Sequence, residues 1–94
     1  MTRKRSRLQI YLDVLKVIAS GVHKPTRIMY KCNLSWVPLK EILDSLVNRG
    51  LISVRKVGKR RVYEITEKGW NVIRYFDRAF EAIEIERRIY AKAK

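Results

Sequence analysis

The sequence predicts a mainly α-helical fold with one small β-hairpin: three short helices, the hairpin, then a long terminal helix. Three observations point to it. Apolar residues recur at spacings of three and four through residues 8–19 and 39–46, with a shorter helical segment between them. The period then changes to two on either side of Gly58-Lys59. Helical spacing returns after Thr66 and persists almost to the last residue. A chain of 94 residues can bury one core and no second one, so it reads as a single domain. An apolar content of 47% is ordinary for a globular protein, so in a chain this short the core is affordable but thin, and an exposed apolar helix face would gain from a partner chain.

After a basic arm, Ser6 is placed to cap the first helix, whose inner face is Leu8, Tyr11, Leu12, Leu15, Ile18 and Ala19. Gly21 offers its stop, and Lys24-Pro25-Thr26 opens a second helix that draws on Ile28 and Met29 and ends near Cys32 and Asn33. Asn33-Leu34 makes a tight connection. Ser35 can then cap a third helix, from about Trp36 to Arg49, whose first turn tolerates Pro38 because early N–H groups have no intrahelical partner. Leu39, Ile42, Leu43 and Leu46 form its inner face, and Gly50 supplies a left-handed end. Three helices with a short turn before the third make a helix-turn-helix.

Residues 51–57 and 60–65 are β-prone, and Gly58 at the first central position suits a two-residue type II′ hairpin. Counting outward pairs Val57 with Arg60, Val54 with Tyr63 and Ile52 with Ile65; the last two pairs share a face that is expected to meet the core. Lys56 and Arg61 pair near the tip, like charges that a phosphate between them would relieve. A helix following three others in this way, with a hairpin between, gives a winged helix-turn-helix with a long C-terminal helix.

Thr66 can cap that last helix, from about Glu67 to Lys92 and roughly 39 Å long at 1.5 Å per residue, so part of it must project. Ile73, Phe76, Phe80, Ile83, Arg87 and Tyr90 fall at alternating spacings of three and four, the seam of a coiled coil with one charged break. A core-packing stripe within one chain is the alternative. The reading adopted is a homodimer through this helix, because the apolar positions continue toward the chain end, where little sequence is left to cover them. Lys68, Arg74 and Arg78 precede Glu81, Glu84 and Glu86, which favours antiparallel pairing; Arg87, Arg88, Lys92 and Lys94 weigh against it.

The charge balance narrows function. Twenty-two Lys and Arg against nine Asp and Glu leave +13, which calls for a polyanionic partner, and nucleic acid fits better than a membrane because no continuous basic amphipathic helix gathers the charge. The single cysteine, Cys32, cannot form an internal disulfide, and no apolar run follows the basic start as in a signal peptide, so a cytoplasmic, nucleoid-associated location is expected. With one histidine, His23, the chain cannot assemble a Cys-His pair or a zinc site, and no Gly-rich phosphate loop is present. The expectation is a non-enzyme with no metal, cofactor or small-molecule ligand.

Outside the last helix the cations collect in two places: Arg3, Lys4, Arg5 and Arg7 in the arm, and Arg55, Lys56, Lys59, Arg60 and Arg61 in the hairpin. A solvated face usually mixes both signs, so these acid-free runs point to phosphate contact with double-stranded DNA. The third helix would enter the major groove and present Trp36, Val37, Lys40, Glu41, Asp44 and Asn48, with Ser35 at its start. Two of those are acidic and none is an Arg or Gln able to read a base bidentately, so affinity should come mainly from phosphates. Trp36 serves equally as a core residue in this reading.

The run Thr26-Arg27-Ile28-Met29-Tyr30-Lys31-Cys32-Asn33-Leu34-Ser35-Trp36, followed by Leu39-Lys40, Gly50-Leu51-Ile52 and Tyr63-Glu64-Ile65-Thr66-Glu67-Lys68-Gly69, resembles the archaeal winged helix-turn-helix family that includes small chromatin-associated DNA-binding proteins. The match covers nearly the whole chain. The resemblance implies an antiparallel coiled-coil dimer through Ile73, Phe76, Phe80 and Ile83, and DNA contact through Ser35, Trp36, Lys40 and the 55–61 hairpin. Pro38 departs from the pattern, since relatives often carry a polar residue there. The expected function is that of a nucleoid-associated DNA binder or a transcriptional regulator, with residues 1–66 as arm and DNA-binding domain and 67–94 as dimerisation helix in one structural unit. A protein-interaction module of the transcription apparatus, meeting a basic partner through the acidic face of the third helix, is the alternative. RNA binding ranks lower, for want of an exposed aromatic platform on the strands.

Overall fold

A computed structural model describes the backbone of residues 5–92 and the side chains as far as Ile83. The element order is α1 (Arg7–Ala19), α2 (Pro25–Cys32), α3 (Trp36–Asn48), β1 (Ile52–Val57), β2 (Arg60–Ile65) and α4 (Glu67–Lys92). This is a winged helix: a three-helix core, an antiparallel two-stranded wing and a long closing helix.

Helices this short need their ends defined, and the sequence supplies the means. Ser6 caps α1 by accepting the Gln9 N–H at 3.1 Å. All three early helices stop in the same way, with a residue at positive φ and a pair of hydrogen bonds that satisfy the last carbonyls. At Gly21 (φ 105°) the bonds run from Val22 N–H to Val17 and from Gly21 N–H to Ile18; at Gly50 (φ 74°) they run from Leu51 to Leu46 and from Gly50 to Val47. Between α2 and α3 the left-handed residue is Asn33 (φ 55°), with Leu34 N–H on Met29 and Asn33 N–H on Tyr30. Asparagine tolerates that region better than other side chains, and it reverses the chain tightly enough to make the helix-turn-helix.

The core joins Val14, Leu15 and Ile18 of α1 to Ile28 and Cys32 of α2, the four inner residues of α3, Ile52 and Tyr63 of the wing, and Ile73 of α4. Two details of α1 differ from expectation. Leu8 is 48% exposed, whereas Val14, off the predicted stripe, is fully buried. The reason is that α1 is central: α2, β2 and α4 all pack on it, so a wider arc of its middle is covered while its first turn lies outside. The wing has the expected register, with Ile52 opposite Ile65, Val54 opposite Tyr63 and Lys56 opposite Arg61. Gly58 takes φ 62° while Lys59 keeps a negative φ, as a type II′ turn requires. Val54, expected to face the core, is instead exposed, because only the base of the hairpin is covered and Ile52 and Tyr63 occupy that base.

Thr66 ties α4 to the rest. Its hydroxyl accepts the Gly69 N–H at 3.1 Å and lies 2.7 Å and 2.9 Å from the carbonyls of Gly50 and Leu51, which share its single proton. The Lys68 ammonium donates to the Arg49 carbonyl at 2.9 Å. Gly69 is required by close approach: a Cβ there would run into the Leu51 carbonyl and come within 2.6 Å of the Ile65 side chain. Further along, Lys16 of α1 pairs with Asp77 of α4 at 2.7 Å. The radius of gyration is 15.5 Å and the longest extent 58 Å, against about 12 Å expected for a compact chain of this length, so α4 projects.

Candidate nucleic-acid interface

The turn at Asn33 sets the start of α3 at the surface. Trp36 is 43% exposed and Val37 68%, and Lys40, Glu41, Asp44 and Asn48 are also exposed, so Trp36 is not a core residue. Ser35 has the extended backbone of an N-cap but makes no side-chain capping bond. Pro38 stands at the third helical position, where one of the two N–H groups that a capping hydroxyl could accept is missing. The Ser35 hydroxyl is therefore left over at the helix start. The Lys40 ammonium lies 3.1 Å from the Asp44 carboxylate one turn on, which offsets its charge.

On the wing the five cations fall into two groups. The Arg55 guanidinium reaches Glu64 on the neighbouring strand at 2.6 Å, so its charge is matched. Lys56, Lys59, Arg60 and Arg61 are exposed and enter no ion pair among the described residues. In the arm, Arg5 is held by Asp13 at 3.1 Å and also donates to the Asn33 carbonyl at 3.4 Å, so it braces the turn between α2 and α3. Arg7 is exposed, and with Arg5 it lines a cleft of about 350 Å³ beside Pro38 and Glu41, which sets the base of the arm next to the start of α3. Arg3 and Lys4 lie outside the described residues.

Sequence reasoning missed a second basic feature. Lys24, Pro25, Thr26 and Arg27 at the start of α2 and Arg60 and Arg61 on β2 line a cleft of about 560 Å³. Its walls are fixed to each other: the Tyr63 N–H donates to the His23 carbonyl at 3.0 Å, and His23 Nδ1 donates back to the Tyr63 carbonyl at 2.7 Å. The only local signal was a pair of cations at a helix start, where acidic residues are the usual choice.

With three helices, a wing and a closing helix in place, comparison with known proteins is decisive. The family model described as winged helix-turn-helix matches residues 4–84. The chain belongs to the winged helix-turn-helix family. Two uncharacterized proteins of Methanocaldococcus jannaschii are similar to it: MJ0287, 35% identical over 70% of this chain and 64% of its own length, and MJ0290, 30% identical over 85% of this chain and 36% of its own. This winged helix-turn-helix chain thus spans less than two thirds of either relative. Among solved structures, Sso10a-2, a DNA-binding protein from Sulfolobus solfataricus, superposes with a TM-score of 0.74 at 29% identity, over 93% of this chain and 87% of that one.

Within this winged helix-turn-helix the last helix divides its apolar residues between two duties. Ile73, expected at a dimer seam, is only 5% exposed and belongs to the protomer's own core, because α4 crosses α1 at that level. Phe76 is half-buried, with Tyr75 edge-on to it at 5.9 Å and Phe80 at 6.3 Å. Phe80 is 36% and Ile83 52% exposed. The side chains of Arg87 and Tyr90 lie outside the described residues. Cys32 is buried, and its thiol is pushed up to about 11, first by burial and then by the Asp13 carboxylate, with Arg5 pulling the other way. A buried thiol that keeps its proton is a poor nucleophile. Among the described residues no three of His, Cys, Asp and Glu come together to hold a metal, and no helix is long and apolar enough to cross a membrane.

Proposed function

We propose that this protein binds double-stranded DNA as a homodimer, with the wing and arm on phosphates and α3 in the major groove, and with little discrimination among sequences. The observation that carries the reading is the set of four exposed, unmatched wing cations, Lys56, Lys59, Arg60 and Arg61, on a helix-turn-helix scaffold. Like charges packed this closely oppose folding and are relieved by phosphate. The similarity to a DNA-binding protein of the same architecture supports it. Low selectivity follows from α3, whose one cation is matched by Asp44 and whose exposed start is apolar at Trp36 and Val37. Phosphate contacts position a protein without reading sequence, which suits a nucleoid-associated role in the cytoplasm and is compatible with a regulator. The dimer would use α4 from Phe76 onward, with residues 67–94 as the joining element.

Gel-shift binding of a fixed-length random duplex, at two salt concentrations and with Arg60→Glu/Arg61→Glu beside the wild type, tests this. Binding should be strong at low salt, weaken steeply as salt rises, and be lost in the variant, because each neutralised phosphate releases counterions. Affinity indifferent to salt would sink the proposal. The exposed acidic pair Glu41 and Asp44 favours one second reading, a module that meets a basic protein partner through α3; absence of binding at low salt would put it first.

A further inference from the structure

We infer that the cleft between the start of α2 and strand β2 seats a backbone phosphate of the DNA duplex, held by Lys24 and Arg27 from one wall and Arg60 and Arg61 from the other. This rests on the DNA-binding reading and extends the interface beyond the wing to a part of the protein with no expected role. The first ground is charge. Four cations surround one cleft of about 560 Å³ whose lining holds no acidic residue. Four of the described cations are matched by carboxylates, Arg5 by Asp13, Lys16 by Asp77, Lys40 by Asp44 and Arg55 by Glu64. Lys24, Arg27, Arg60 and Arg61 form none of the ion pairs among the described residues.

The second ground is the placement of two of these cations on a helix. Lys24 sits at the N-cap of α2 and Arg27 in its first turn, the positive end of the helix dipole, and no acidic residue lies in that turn. Lys24 has no side-chain oxygen to offer the first-turn N–H groups, and no side chain caps them. Fold stability alone gains nothing from this arrangement; an anion would satisfy helix and side chains together. Third, the cleft is preorganised. The reciprocal bonds between His23 and Tyr63 fasten the loop before α2 to β2, so no wall has to move for a ligand to enter.

The lining also indicates what kind of phosphate fits. It contains no aromatic ring to stack a base and no carboxylate to hold ribose hydroxyls, only the charged heads and aliphatic stems of Lys24, Arg27, Arg60 and Arg61 with Thr26 and Pro25. That chemistry recognises a phosphate group and ignores what it is attached to. A duplex backbone already engaged by the wing supplies one next to Arg60 and Arg61, so the cleft and the wing would follow one strand.

Lys24→Gln/Arg27→Gln tests the inference, since both residues are exposed and belong to α2 and the loop before it, so the wing's own cations stay in place; thermal melting would verify that the variant folds. Binding of a random duplex would be measured over a salt series for wild type and variant, with a parallel calorimetric titration of inorganic pyrophosphate. The expected result is binding by both, weaker in the variant, with a salt slope shallower by about 0.9, one phosphate contact. If the wild type binds duplex and the variant matches it in affinity and slope, the cleft carries no backbone phosphate and the inference is overturned while the DNA reading stands. If pyrophosphate binds the wild type but not the variant, with unchanged duplex slopes, the cleft takes a free anion instead, which also overturns it. A wild type that binds no duplex at low salt defeats the DNA reading itself, and the inference with it.

Discussion

Cys32, the last residue of α2, is 2% exposed, so a thiolate there would lose its hydration and face the Asp13 carboxylate, and the proton is held to about pH 11 against 9.0 for a free thiol. The consequence for stability has a definite sign. Below pH 9.0 folded and unfolded chains both carry the proton and the contribution is fully present. Between 9.0 and about 11 the unfolded chain ionises while the folded one does not, so stability is lost as pH rises through that window. Two pKa units correspond to roughly 2–3 kcal/mol at most. Denaturant melts of wild type and Cys32→Ala, taken from about pH 8 upward, isolate the effect from the tyrosines and lysines that titrate nearby. The wild type should lose stability faster than the variant by an amount of that order; parallel curves would show that the thiol is not coupled to folding. The same buried, protonated thiol should be inert to alkylating reagents in the folded protein.

The wing shows how a charge count misleads at the level of an element. Its five cations look equivalent in sequence, yet Arg55 is matched by Glu64 across the strands and four are not. Glu64→Gln should therefore free Arg55, raise affinity for a random duplex several-fold and steepen the salt slope by about 0.9 if Arg55 reaches a phosphate. Glu67→Gln, which removes the same charge at an exposed position outside both the wing and the proposed dimer row, controls for net charge alone, and equal effects of the two would contradict this account. Elements were legible where a local signal defines them: Ser6, Gly21, Asn33, Gly50 and Thr66 mark helix ends, and Gly58 fixes the hairpin register. What stayed hidden depends on neighbours far along the chain. The burial of Val14 comes from α1 lying centrally, with α2, β2 and α4 all packed on it, the exposure of Val54 from how far the wing overhangs the core, and the α2–β2 cleft from a bridge between His23 and Tyr63 that no periodicity announces.

For the whole molecule the question is what would bring two chains of charge +13 together in the proposed dimer. Two such protomers repel at low salt, so a dimer needs apolar contact that outweighs the repulsion and an arrangement that keeps the basic surfaces apart. With Ile73 committed to the core, the apolar row available on α4 starts at the half-buried Phe76 and continues through Phe80 and Ile83. Antiparallel packing would set Lys68, Arg74 and Arg78 of one chain beside Glu81, Glu84 and Glu86 of its partner and send the two wings to opposite ends. Phe80→Glu/Ile83→Glu places like charges in that row without touching the protomer core, since both side chains are exposed. Sedimentation equilibrium should find pairs for the wild type and single chains for the variant. Duplex affinity should fall on the order of tenfold or more, because linked domains bind the second site at high effective concentration. Shorter duplexes that admit one wing only should bind both forms alike, which separates loss of linkage from damage to the DNA-binding surface. A variant that still sediments as the wild type does would place the joining surface elsewhere and leave the row on α4 without a role in assembly.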